Sequence, residues 1–288
     1  MRALILTLAI ATAVSPPASY RAEIEKYRQD RLTELTASDG WLAVRGLFWL
    51  REGDNTAGSD PSNDVRLPAR TAKRVGVFRV VDGAVSFDAD PAAVVTARGN
   101  RINAATFTRE ESTIETSGVT IALIRRGEKT GLRMWDPESP HRTEFHGLKY
   151  FPLNPAYRLS AKFVPYDALK PVKVPNVLGQ LVTMQSPGYV EFTVKGETYK
   201  LEPVYETPKH EDLFFIFNDL TSKTDTYEAG RFLHTPLPKD GVVDLDFNRA
   251  YNPPCAFTEF ATCPLPIKEN QLPIRIPAGE LRYHSTDR

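Results

Sequence analysis

Residues 189–205 read YVEFTVKGETYKLEPVY, and this stretch decides the fold class. Apolar and polar residues alternate on both sides of Lys195-Gly196. Alternation with a period of two marks a strand with one buried face. A two-residue connection ending in glycine suits the tight turn of a β-hairpin. The pattern continues outward in both directions. Strands are expected upstream at 132–135, 161–164, 173–177 and 181–185, and downstream at 213–218, 231–234 and 242–246. Pro187-Gly188 reads as a turn between two of them. Residues 213–217 (LFFIF) are apolar throughout, as expected of a core strand covered on both faces.

The first half of the chain has the same texture. Runs at 42–50, 74–80, 84–87, 94–96, 112–115 and 119–125 are separated by turn signals such as Val81-Asp82-Gly83 and Ser117-Gly118. Such spacing indicates a small sandwich or barrel. Helical periodicity is confined to 18–37, where Tyr20, Ile24, Tyr27, Arg31 and Leu35 recur at three- and four-residue intervals before Asp39-Gly40. The expected architecture is mainly β. A signal peptide and short linker occupy 1–17, a helix 18–40, a β-sandwich 41–126, and a larger antiparallel β domain 127–288.

Residues 48–68, FWLREGDNTAGSDPSNDVRLP, resemble the first strands and turn of a forkhead-associated domain. That family holds phosphothreonine with an arginine after the turn glycine and with a later Ser-x-x-His. Here Ser59 follows Gly58, and 70–74 (RTAKR) contains no histidine. The resemblance therefore implies the fold used as a scaffold, without phosphopeptide binding.

The 288 residues carry 36 basic and 36 acidic side chains. A formally neutral chain has no global field to attract nucleic acid, so none is expected as a partner. Met1-Arg2, the apolar run 3–13 and the small residues Ala11 and Ala13 form an export-signal pattern. A periplasmic or extracellular location is the expectation. The run is too short for a permanent span, and no later segment reaches that length.

Residues 246–270 (DFNRAYNPPCAFTEFATCPLPIKEN) hold four prolines and both cysteines. Proline removes backbone donors and fixes φ, so neither a helix nor a central strand is expected. In an oxidising compartment Cys255 and Cys263 pair as a disulfide, with Cα atoms about 4.4–6.8 Å apart. Two free thiols, or a share in a metal site, are the other readings. No metal and no cofactor is expected, because the zinc, Walker, dinucleotide and nucleophile-elbow motifs are absent.

This loop, with 145–152 (FHGLKYFP), 213–220 (LFFIFNDL), 224–232 (TDTYEAGRF) and Ala278-Gly279-Glu280, resembles a bacterial family, domain of unknown function 1684. The resemblance runs from about the N-terminal helix to Glu280. It implies a shared pocket or scaffold, with no established reaction.

The candidate ligand-binding residues are Asp219, Tyr227, Arg231, Asp246, Asn248, Tyr251 and Asn252. An arginine fork matches a carboxylate or phosphate, and a nearby carboxylate orients or deprotonates the ligand. The same residue types also satisfy the backbone of a buried loop. His141, His146, His210, His234 and His284 read as surface or packing residues. The leading expectation is binding of a small molecule or envelope component, with Arg231, Asp246, Asn248 and Tyr251 as the polar floor. One alternative is a hydrolase with Asp219 or Asp246 as general base. The other is a protein-interaction module.

Overall fold

The computed structural model describes residues 16–108 and 112–283. The expected export signal lies outside them. Helix α1 (Ala18–Thr36) buries Tyr20, Ile24 and Leu35, and the rest of its surface is mostly polar. Positions 20, 24 and 35 fall on one face because four residues span about one turn and eleven about three. At the end of the helix the chain doubles back so tightly that a Cβ on Gly40 would lie 2.3 Å from the Glu34 carbonyl oxygen. Only glycine makes that approach.

Eleven strands follow: β1 (Val44–Trp49), β2 (Gly53–Gly58), β3 (Val65–Arg66), β4 (Gly76–Val81), β5 (Ala84–Ala89), β6 (Thr96–Ala97), β7 (Asn100–Arg101), β8 (Ala104–Phe107), β9 (Thr113–Thr116), β10 (Val119–Arg126) and β11 (Lys129–Trp135). They form a sheet ordered β1-β11-β10-β9-β6-β7 and a second ordered β3-β2-β4-β5-β8. Inward residues of both sheets share one core, in which the Phe78 ring lies 4.7 Å from Phe87 and 5.7 Å from Phe107. Each fully buried phenylalanine contributes about 1.5–3 kcal/mol. Strand β11 pairs with both β1 and β10, so residues 132–135, expected in the second unit, belong to the first. A register match with two partners outweighs the expected boundary after 126.

The second unit contains β12 (Arg158–Pro175), β13 (Leu181–Val194), β14 (Glu197–Leu201), β15 (Asp212–Phe217), β16 (Arg231–Pro236) and β17 (Val242–Asp246). One antiparallel sheet runs β14-β13-β12-β17, and β15 and β16 pair as a separate ribbon. The hairpin at Lys195-Gly196 forms as expected, with Val194 opposite Glu197. Pro187-Gly188 is not a turn but lies inside β13. There the register jumps from Pro165–Gly188 to Lys170–Ser186. A Cβ at Gly188 would sit 2.3 Å from the Val164 carbonyl oxygen, so the glycine serves close strand approach. Likewise 161–164 and 173–177 are largely parts of one long strand, β12.

Strand β15 is buried on both faces. Leu213, Phe215 and Phe217 enter one core with Phe192, Leu245 and Phe247. Phe214 and Ile216 enter another with Val172, Val174, Phe232 and Cys263. The proline-rich segment 246–270 contains only three short 3-10 turns. Hydrogen bonds join it to the second unit from Val177 N–H to Cys263 O at 3.1 Å, and to the first from Thr258 Oγ1 to Val44 O at 3.2 Å.

Candidate functional site

Six of the seven candidates gather in four hydrogen-bonded sets. Arg231, fully buried, donates to the carbonyls of Ala278 and Ile276 and to Asp219 Oδ1 at 3.2 Å. Asp219 also accepts from the Ile276 N–H at 2.5 Å and the Thr221 hydroxyl at 2.6 Å. Asp246 accepts from Tyr20 Oη at 2.9 Å and from the Asn248 N–H and side chain, each at 3.0 Å. Asn248 Nδ2 further donates to the Asn154 carbonyl at 2.9 Å. Asn252 donates to Glu280 Oε2 at 2.9 Å and to Leu281 O at 2.8 Å. Tyr227 donates to Cys255 O at 3.2 Å, and burial pushes its phenol up to about 12. These groups tie the loops 246–252 and 276–281 to α1, β15 and β16.

The expected disulfide is absent. Cys255 and Cys263 are both free thiols. They nevertheless stand together, because the Cys255 N–H points at Cys263 Sγ (3.2 Å) and the Cys263 N–H at Cys255 Sγ (3.4 Å). Each sulfur serves as a backbone acceptor in a loop whose prolines cannot build a ladder.

A groove of about 1020 Å³ opens between α1 and the β15–β16 ribbon. Of the seven ligand-binding candidates, Tyr251 alone lines it. Its floor is aromatic. The His234 ring stacks on Phe214 at 4.5 Å and lies nearly parallel to Tyr251 at 6.1 Å, while Phe232 meets Tyr251 edge-on at 5.9 Å. Tyr27 and Trp41 complete the aromatic lining. Burial pushes the Tyr251 phenol well above the ordinary tyrosine range, and its hydroxyl makes no hydrogen bond to the described residues.

The rim is acidic, with Asp30, Glu34, Asp39, Glu206, Glu211 and Asp212. Two arginines line the groove with them, and both are already matched. Arg31 pairs with Glu280 at 3.2 Å and lies 4.6 Å over the Tyr251 ring. Arg249 pairs with Glu23 and stands 3.7 Å from Asp246. His234 Nδ1 lies 2.7 Å from Asp212 Oδ2, with Nε2 3.7 Å from Glu206 Oε2. A carboxylate against one ring nitrogen orients the imidazole and sets its tautomer.

The sequence singled out no role for Asp212 and placed His234 among the surface or packing residues. The signal lay in strand pairing. Phe214 stands opposite His234 and Asp212 opposite Pro236, so Asp212 and His234 are diagonal neighbours across the ribbon. Among the described residues, no group of three or more His, Cys, Asp or Glu is placed to hold a metal ion. Likewise, no helix there is long and apolar enough to cross a membrane.

The family model for a protein of unknown function, DUF1684, matches residues 143–281. That segment belongs to the DUF1684 family. The match covers the ribbon, the acidic residues Glu206, Glu211 and Asp212, and the whole proline-rich loop. It begins downstream of α1, which the resemblance in the sequence had included. A solution NMR structure of an uncharacterized protein from Haloarcula marismortui is similar at 26% identity, covering 53% of this chain and 83% of that one with a TM-score of 0.41. No curated protein matches the chain. The DUF1684 segment supplies the ribbon wall of the groove, and α1 and Trp41 supply the facing wall.

Proposed function

We propose that the protein binds a small organic cation in the groove beneath α1. The observation that carries this reading is the charge balance of the lining. Six carboxylates line the groove with two guanidiniums; each guanidinium is matched by Glu280 or Glu23, and Lys26 and Lys209 pair with Asp30 and Glu211, so the balance stays acidic. Ring faces favour cations, and this floor already holds them, with Arg31 over Tyr251 and Arg249 over Tyr27. Titration calorimetry with primary ammonium, quaternary ammonium and guanidinium compounds tests it, with carboxylates and neutral sugars as controls. Only the cations should bind, and more weakly as salt rises. Asp212→Asn should lower affinity about tenfold, the equivalent of about 1.4 kcal/mol. Equal binding of anions, or no response to Asp212→Asn combined with Glu206→Gln, would overturn the reading.

A hydrolase is the second reading, and the Asp212–His234 pair favours it. A histidine held by a carboxylate at 2.7 Å and opening on a groove has the arrangement of a general base. Esters and amides of whichever cation binds are the substrates to assay, and His234→Asn should abolish turnover while leaving binding measurable.

Export belongs to the same proposal. It is supported by the basic start, the apolar run 3–13 and the small residues Ala11 and Ala13. The ligand would then be met outside the cytoplasm, as a free solute or an envelope component.

A further inference from the structure

We propose that Cys255 and Cys263 form a redox-active dithiol that is oxidised to an intramolecular disulfide by exchange with a small-molecule disulfide. The pair lies outside the cation groove's lining, and the inference does not depend on that reading. Three observations carry it. The thiols are side by side in the fold, each sulfur accepting the other's backbone N–H at 3.2 and 3.4 Å. Their access to solvent differs, since Cys255 is half-buried whereas Cys263 is 4% exposed. The loop between them is held within its span by Thr258 on the Val44 carbonyl and at its far end by Cys263 O on the Val177 N–H.

The differing access assigns the roles. Cys255 is the attacking thiol and Cys263 the resolving one. The Cys263 side chain and backbone N–H hold the Cys255 thiol below the ordinary cysteine range, against burial and with help from the Arg133 guanidinium. The bond from Cys255 and burial together push the Cys263 thiol up. A thiolate is the nucleophile in exchange, and the lower of two thiols is the one poised to react first.

The exchange balances without any further reagent. The Cys255 thiolate attacks one sulfur of the small disulfide, forming a mixed disulfide and expelling one small thiolate, which takes up a proton. Cys263 then loses its proton and attacks Cys255 Sγ, closing the protein disulfide and expelling the second small thiolate. The protein gives up two electrons and two protons, and the small disulfide is reduced to two thiols.

The experiment uses the full chain, reduced and desalted, then exposed to glutathione disulfide. Samples are quenched in acid, alkylated under denaturing conditions and weighed by mass spectrometry. The wild-type protein should lose both thiols together and retain no glutathione, and peptide mapping should show the 255–263 cross-link. Cys263→Ser should instead accumulate one glutathione on Cys255. Cys255→Ser should react at least about tenfold more slowly, because the remaining thiol is buried and protonated. Faster modification of Cys263 than of Cys255 would overturn the proposal. So would a wild-type protein that stores a stable glutathione adduct, or whose thiols stay reduced while folded. The wild-type arm needs no substitution, so it decides closure even where a variant fails to fold.

Discussion

Asp136 shows how much one side chain's role depends on its surroundings. It follows β11 and is completely buried. Burial alone would raise its pKa. Against that, Arg70 grips both oxygens at 2.5 and 3.1 Å, the Glu138 N–H donates at 2.9 Å, and Arg45 stands 3.7 Å away. The result is a carboxyl held below the usual range. A depressed folded-state pKa gives stability that is present above the unfolded value of about 3.9 and lost as pH falls through the folded one. Asp136→Asn should therefore be less stable than wild type at pH 7 by about 1–3 kcal/mol. The two urea midpoints should converge below about pH 4. A gap of constant size across that range would remove the charge as its source. Asp136 was not legible in this respect, whereas a buried Arg–Asp support was one of the two readings open for Arg231 and Asp219. Sequence identifies a guanidinium but not whether its fork will meet a ligand or, as with Arg231, two carbonyls and a buried carboxylate.

Among the elements, β15 was the most legible. Five consecutive apolar residues leave no polar face, so the strand has to be covered on both sides, and it is. The short strands β2, β3 and β7 were missed because they carry few apolar residues, and β8 (AATF) because four residues give no alternation to read; all are held by neighbours. The turn between β2 and β3 is closed by its own bonds. Ser59 Oγ donates to Thr71 O at 2.9 Å, and Asn63 Nδ2 donates to Asp60 O at 3.0 Å and Lys73 O at 2.9 Å. No arginine follows Gly58 to reach a phosphate. Titration with phosphothreonine peptides and their unphosphorylated counterparts should give indistinguishable, weak signals. A micromolar complex that needs the phosphate would show that the element binds phosphopeptide by other residues.

On the scale of the whole molecule, export predicts a mature protein whose first residue lies within a few positions after Ala13. N-terminal sequencing of protein purified from its host checks this, and retention of residues 1–13 would refute export. By itself the sequence determined the strand-rich class, the leading helix, the Lys195-Gly196 hairpin, the double burial of β15 and the irregular course of 246–270. All of these rest on local periodicity, turn chemistry and the constraints of proline, which act over a few residues. Only the tertiary structure decided that β11 closes the first sandwich, that Pro187-Gly188 lies within a strand, and that Asp212, His234, Tyr251 and α1 meet at one groove. Those outcomes depend on which strands pair and in what register. Contacts between residues as distant as Arg31 and Tyr251 leave no periodic trace in the chain.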